Sequence, residues 1–285
     1  MHRRGFLLSL AGGLAAAAAG HGAAGLGAGT MPSGGLIAPR TPRAAPPVSL
    51  AAVRRVPVVG LTAVAPPRGV ISRLPGPGRS LALTIDDGTN TEVVAAFAAL
   101  AARTGIRLTF FPNGRYRSWQ DNAAALRPLV DSGQVALGNH TWSHPDVTKL
   151  DDRALTAEIR RNQQFLWSTY GVRSPFFRPP YGAHNAHTDA VAADLGHPTI
   201  ALWDGTLNDF TVISPAQLVA GARRWFTAQR IVIGHANHRP VTTVFGDLLD
   251  LIAERKLQTV TLADVWSSPS PALPGASAPG AARHR

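Results

Sequence analysis

The sequence predicts an α/β fold of barrel type, with parallel strands inside and helices outside. Three observations carry this. Short apolar runs of strand character alternate with helical segments about seven times between Leu81 and Thr261. The polar residues fit for chemistry fall just after apolar runs: Asp86-Asp87, His140, Arg178, Asp204 with Asp209, and His235. Strand C-terminal ends are where barrel active sites lie. No GxGxxG follows the first strand, so a dinucleotide site is not expected, and the absence of GxxxxGK[ST] and GxSxG removes the P-loop and serine-hydrolase readings.

The elements follow in order. Leu81–Ile85 is a buried strand ending in the turn Asp86-Asp87-Gly88. Glu92–Arg103 is an Ala-rich helix closed by Gly105, and Arg107–Phe111 a second strand. Asn122–Ser132 is a helix stopped by Gly133. Val135–Leu137 is a strand that runs into a His-bearing loop. Asp151–Tyr170 is a long helix with acidic residues at its N-terminus and Gly171 at its end. Phe176-Phe177 leads into Arg178-Pro179-Pro180-Tyr181. Asn185–Leu195 is helical and Thr199–Trp203 a strand. Ser214-Pro215 starts a helix, with Ser as cap and Pro in the first turn. Ile231–Ile233 is a strand, Val244–Arg255 a helix and Gln258–Thr261 a last strand.

The ends differ in texture. The chain has 285 residues, a net charge of +11 and no cysteine. Without Cys, disulfides, thiolate metal sites, iron–sulfur clusters and Cys nucleophiles are excluded, so any metal must be held by His and carboxylate. Gly78–Trp266 holds 18 basic and 17 acidic side chains, a net of +1; the other ten basic residues lie in the flanks. A nucleic-acid groove would concentrate charge on the folded domain, so none is expected. Basic flanks fit contact with an anionic cell wall or membrane surface. Residues 1–30 begin with Arg3-Arg4-Gly5-Phe6-Leu7 and an Ala/Leu/Gly run. They read as a twin-arginine-like or general secretory signal, and predict an exported protein. Residues 31–77 are rich in Pro, Gly, Ala and Arg and read as a linker, with one short extended piece at Val56–Val64. Residues 78–266 are the folded domain, and 267–285 a disordered tail.

Two clusters stand out. Adjacent carboxylates at a strand end, Asp86 and Asp87, point to different sides and can hold different jobs, one binding a metal and the other taking a proton. A turn or helix-cap pair is the plainer reading. His140 and His144 have a spacing suited to two imidazoles on one metal, and Pro145 places them in a loop. Solvated or core histidines are the plainer reading here.

Together these segments resemble the NodB-homology polysaccharide deacetylases, carbohydrate esterase family 4. Thr84-Ile85-Asp86-Asp87-Gly88 resembles the first family motif, and Gly138-Asn139-His140-Thr141-Trp142-Ser143-His144-Pro145 the second. Arg178-Pro179-Pro180-Tyr181-Gly182, Asp209-Phe210 after Trp203-Asp204, and Ile233-Gly234-His235 resemble the third, fourth and fifth, in family order. Thr109-Phe110-Phe111 matches the family's second strand. The resemblance spans about Leu81 to Trp266. It implies a distorted (β/α) barrel with one divalent metal, usually zinc, with Co²⁺, Mn²⁺ or Ni²⁺ as substitutes. Asp87, His140 and His144 would be its ligands. Asp86 would be the general base, oriented by Arg178. Tyr181 would offer its backbone N–H to the oxyanion. His235 would be the general acid, tuned by Asp209. The expected activity is removal of N-acetyl or O-acetyl groups from peptidoglycan, chitin or a similar polysaccharide, by a monomer.

The chain departs from the family pattern at Ile85 (usually Phe), Thr89 (commonly Pro), Phe210 (usually Trp) and Ala236 (frequently Asp). None removes an expected ligand; all bear on which substrate fits. A catalytically silent glycan-binding module and an amidohydrolase of a non-sugar amide are the competing functions.

Overall fold

The computed structural model describes residue 58 and residues 60–267. The signal, most of the linker and all but the first residue of the tail lie outside the described residues. The described strands are β1 (Gly69–Ile71), β2 (Ser80–Asp87), β3 (Leu108–Pro112), β4 (Val135–Leu137), β5 (Phe176–Phe177), β6 (Thr199–Ala201), β7 (Gly205–Thr206), β8 (Arg230–His235) and β9 (Gln258–Thr259). The α-helices are α1 (Thr91–Thr104), α2 (Ser118–Asp121), α3 (Ala123–Asp131), α4 (Asp152–Tyr170), α5 (Ala186–Asp194), α6 (Pro215–Trp225), α7 (Pro240–Thr243), α8 (Phe245–Glu254) and α9 (Leu262–Val265).

All the strand pairings are parallel. One sheet runs β4-β3-β2-β8-β7, with β9 beside the start of β2, and a second runs β1-β6-β5. Two thin seams join them. The Asn139–Phe177 bridge links the end of β4 to β5, and an Arg73–Arg230 bridge links the chain after β1 to β8. The result is the distorted barrel expected from the sequence.

The central strand shows why the barrel can hold a polar interior. Leu81, Leu83 and Ile85 face outward and pack with helix residues such as Phe97, Leu218 and Phe245. The alternate residues Ala82, Thr84 and Asp86 face the barrel interior. Their small or polar side chains leave room there for a guanidinium. Capping follows local chemistry. Asn90 accepts from Glu92 and Val93 N–H to start α1, and Asp151 accepts from Ala154 N–H to start α4. Ser214 and Gln217 form a reciprocal cap on α6, and Gly171 closes α4 at φ 71°.

The folded unit begins before Gly78, which corrects the boundary expected from the sequence. β1 pairs with β6 from Gly69↔Thr199 to Ile71↔Ala201, and Leu74 is buried. Three residues carry no readable period; this strand owes its order to a partner about 130 residues away. Val64 N–H donates to Val265 O at 2.9 Å, and Ser267 N–H to Val64 O at 3.0 Å, so this stretch of the linker is also tied to the domain. No described helix is long and apolar enough to cross a membrane.

Candidate active site

A cleft of about 480 Å³ opens at the C-terminal ends of the strands. Asp86, Asp87, His140, His144, Tyr181 and His235 all line it, with Trp203, Thr206, Asn208, Phe210 and Ile233. Arg178 and Asp209 lie directly behind. All eight residues singled out in the sequence therefore converge on one place.

Asp86 and Asp87 leave β2 in different directions. The Arg178 side chain has no solvent exposure and spans the barrel interior. Its Nη1 donates to Asp86 Oδ1 at 2.7 Å and to Thr84 Oγ1 at 2.8 Å, and its Nε to Ala201 O at 2.8 Å. Its guanidinium carbon sits 4.1 Å from the centre of the Phe111 ring. This is a buried, fully bonded ion pair, unlike a guanidinium bridging surface carboxylates.

Asp87 adopts φ 68°, a left-handed conformation that an Asp tolerates better than most residues. Its backbone carbonyl accepts from Trp119 Nε1 at 2.8 Å and from Asn113 N–H at 3.2 Å. Oδ1 lies 3.4 Å from His140 Nε2 and 3.4 Å from His144 Nε2. Buried Oδ1 makes no hydrogen bond. A buried carboxylate oxygen left without a partner between two imidazole nitrogens is what a cation site looks like from its ligands. His140 Nδ1 is engaged by the Arg178 carbonyl at 2.7 Å, which leaves Nε2 to coordinate. The three ligand atoms all lie within 4.8 Å of one another, the one such grouping among the described residues. The donor set fits a divalent ion with open coordination positions.

The electrostatics agree. Burial alone would raise the Asp87 carboxyl. The His140 imidazole beside it, then the charges of His144 and His235, outweigh it and hold the group well below the usual carboxylate range. Burial lowers His140, but Asp86 and Asp87 outweigh that and push it up. His144 is pushed down by burial and by His140.

Across the cleft, His235 Nδ1 and Asp209 Oδ1 are 2.9 Å apart, and His235 N–H donates to Asp209 Oδ2 at 3.0 Å. Both oxygens of one buried carboxylate thus grip a single histidine, leaving Nε2 free of that pair. Burial lowers His235, but the Asp209 hydrogen bond and charge prevail and raise it. Tyr181 is 70% exposed, at φ 61°, with its ring 4.6 Å from that of His144, so it is a rim residue and no part of the core. Trp203 and Phe210 also face the cleft, whereas Trp142 packs under Arg161. Asp204 binds Arg73 and Arg230 outside the cleft and is structural.

Several neighbours escaped the sequence reading. Asn237 Nδ2 donates to Asp87 Oδ2 at 2.7 Å. Asn113 Nδ2 donates to the carbonyls of His140 and Thr141. Glu158 holds Ser143 through its backbone N–H and hydroxyl, both at 2.7 Å. Only Asn237 left a trace in the sequence, two residues after His235. Among the described residues, five of the seven non-Gly residues with positive φ (Asp87, Thr141, His144, Tyr181 and Asn208) lie in or beside the cleft, a concentration of backbone strain typical of working sites.

A parallel α/β barrel with a His₂-carboxylate cluster, an Arg-paired carboxylate and an Asp-paired histidine defines the class of protein. The family model for polysaccharide deacetylases matches residues 73–200. Over those residues the chain is similar to this family. It is 28% identical over 192 residues to a peptidoglycan-N-acetylglucosamine deacetylase of Listeria monocytogenes, covering 66% of this chain and 39% of that protein. It is 30% identical over 121 residues to a chitin deacetylase of Pestalotiopsis, covering 42% of this chain and 40% of the other. The chain thus spans about two fifths of the curated relatives it matches. In fold it is similar to a carbohydrate esterase family 4 pseudoenzyme of Bacillus anthracis. That similarity has a TM-score of 0.62 at 18% identity and covers 70% of this chain and 69% of the other.

Proposed function

We propose that this chain is a metal-dependent deacetylase that removes N-acetyl groups from amino-sugar polymers of the peptidoglycan or chitin type. The observation that carries the reading is the unpartnered, buried Asp87 Oδ1 held between two imidazole Nε2 atoms, in the same cleft as the Asp86–Arg178 and His235–Asp209 pairs. Because a similar fold occurs in a pseudoenzyme, fold alone does not support activity; this intact constellation does.

Asp87, His140 and His144 would hold the ion, zinc first and Co²⁺, Mn²⁺ or Ni²⁺ as substitutes. When bound, it supplies Lewis acidity and lowers the pKa of water. Asp86 takes the proton of the water that attacks the acetyl carbon. Arg178 compensates the charge of Asp86 and fixes which oxygen faces the cleft. The Tyr181 backbone N–H donates to the developing oxyanion. As the C–N bond breaks, the proton on His235 Nε2 passes to the leaving amine, and acetate departs. Asp209 holds the imidazole from behind and favours its protonated form. Trp203, Tyr181 and Phe210 offer apolar faces to a sugar ring and its acetyl methyl.

Residues 1–30 are proposed to direct export, and the basic flanks to contact an anionic wall or membrane surface; both accord with an extracellular polymer. The full chain should release acetate from chitin oligomers or peptidoglycan, lose this on chelation and regain it with metal. Asp86→Asn should abolish turnover and retain metal. Metal without acetate from either polymer would point to a silent glycan-binding domain or a non-sugar amide substrate.

A further inference from the structure

One departure from the family pattern connects directly to the cluster. At position 89, where the family commonly has Pro, this chain has Thr, and so has a backbone N–H. That N–H donates to Asn237 Oδ1 at 3.1 Å. The other end of the same amide, Nδ2, donates to Asp87 Oδ2 at 2.7 Å. The orientation of an Asn amide is fixed by what surrounds it. Here the surroundings demand opposite ends: a donor on one side and a carboxylate acceptor on the other. A flipped amide would set its oxygen against the carboxylate and its NH₂ against an N–H.

The two loops are stapled on both sides of this contact. Ala236 N–H donates to Asp86 O at 3.0 Å, and Asn90 N–H to Ala236 O at 3.3 Å. Asn237 therefore cannot drift from the end of β2. Its hydrogen bond occupies Asp87 Oδ2 and leaves Oδ1, the orphaned oxygen, facing His140 and His144.

We propose that Asn237, oriented by the Thr89 N–H, is a positioning residue that holds Asp87 as a one-oxygen metal ligand. Partners of this kind fix ligand geometry and typically set affinity by about 10- to 100-fold. The inference rests on the reading of Asp87, His140 and His144 as ligands. Proline at position 89 would remove the donor that aims the amide.

The test measures Zn²⁺ affinity of the full chain by competition with a chromophoric chelator, alongside the visible spectrum of the Co²⁺-loaded protein. Wild type should bind about one ion. Asn237→Ala should weaken binding by about 10- to 100-fold and alter the Co²⁺ spectrum, since Asp87 becomes free to rotate. Thr89→Pro should weaken binding in the same direction. Thr89→Ala, which keeps the N–H, should stay within about twofold of wild type; this comparison stands even if one variant folds poorly. The double variant Asn237→Ala/Thr89→Pro should be little worse than Asn237→Ala alone. Unchanged affinity and spectrum in Asn237→Ala, with one ion still bound, would overturn the positioning role and leave the ligand assignment standing. A wild type that binds no Zn²⁺ or Co²⁺ would overturn both.

Discussion

Replacing Arg178 with Met tests a fully buried charge at the centre of the barrel. The side chain has no solvent exposure, and Asp86 opposite it is 2% exposed. Methionine approximates the volume but strands the carboxylate and unbinds Thr84 Oγ1 and the Ala201 carbonyl. Removing one partner of a buried ion pair costs about 3–5 kcal/mol, because the remaining charge is desolvated and uncompensated. That is a third or more of the stability of many domains, which lies at roughly 5–15 kcal/mol. Arg178→Lys should recover only part of the loss, since an ammonium cannot span Asp86, Thr84 and Ala201 at once. The assay is urea denaturation of the metal-free protein. Arg117→Ala serves as the control: its pair with Asp121 is exposed, with an expected cost under about 1 kcal/mol. A loss below about 1 kcal/mol in Arg178→Met, with an unchanged m-value, would refute the view that this guanidinium is the counter-charge of Asp86.

Asp209→Asn removes the group that raises His235. A histidine acting as general acid must be protonated, and its raised pKa carries that form to higher pH. The variant should therefore show its alkaline activity limb moved to lower pH. The same linkage gives stability that is full below the unfolded histidine value of about 6.5 and is lost as pH rises through the folded value; Asp209→Asn should cost more at pH 5 than at pH 9 in thermal melts. Gly88→Ala should be severely destabilised: φ is +89°, and a Cβ would lie 2.4 Å from the Trp119 ring, whose Nε1 supports Asp87. Soluble expression and the melting midpoint report it. A chain that begins at Gly78 lacks β1 and Leu74, exposes the edge of β6, and should aggregate or melt well below one that begins at Gly60.

Much of this was legible in the sequence because the signals are local. Asp151, Ser214-Pro215 and Gly171 announce helix ends through chemistry within one turn. Asp86-Asp87, His140, Arg178 and His235 announce a site because each ends an apolar run. What was hidden depends on contacts far along the chain. β1 has three residues between prolines and arginines and becomes a strand only beside β6. The predicted strand Thr199–Trp203 stops at Ala201; Leu202 still donates to the Ile71 carbonyl at 2.8 Å, while its own carbonyl accepts from Arg178 at 3.3 Å. Asn237 and Glu158 are ordinary surface-type residues until the fold brings them against Asp87 and Ser143. His197, assigned no role from sequence, is buried between Asn139 and the Ser174 carbonyl, and burial lowers its pKa to about 4; it fills a structural place behind the His-bearing loop.

A metal held by Asp87, His140 and His144 is proposed to drive the release of acetate. Elemental analysis of the full chain, purified without added metal, combined with acetate release from chitin oligomers and peptidoglycan before and after chelation, tests it most directly. About one zinc per chain is predicted, with acetate release that disappears on chelation and returns with metal, and with both properties lost in His140→Ala. Undiminished acetate release from metal-free protein or from His140→Ala would contradict the account.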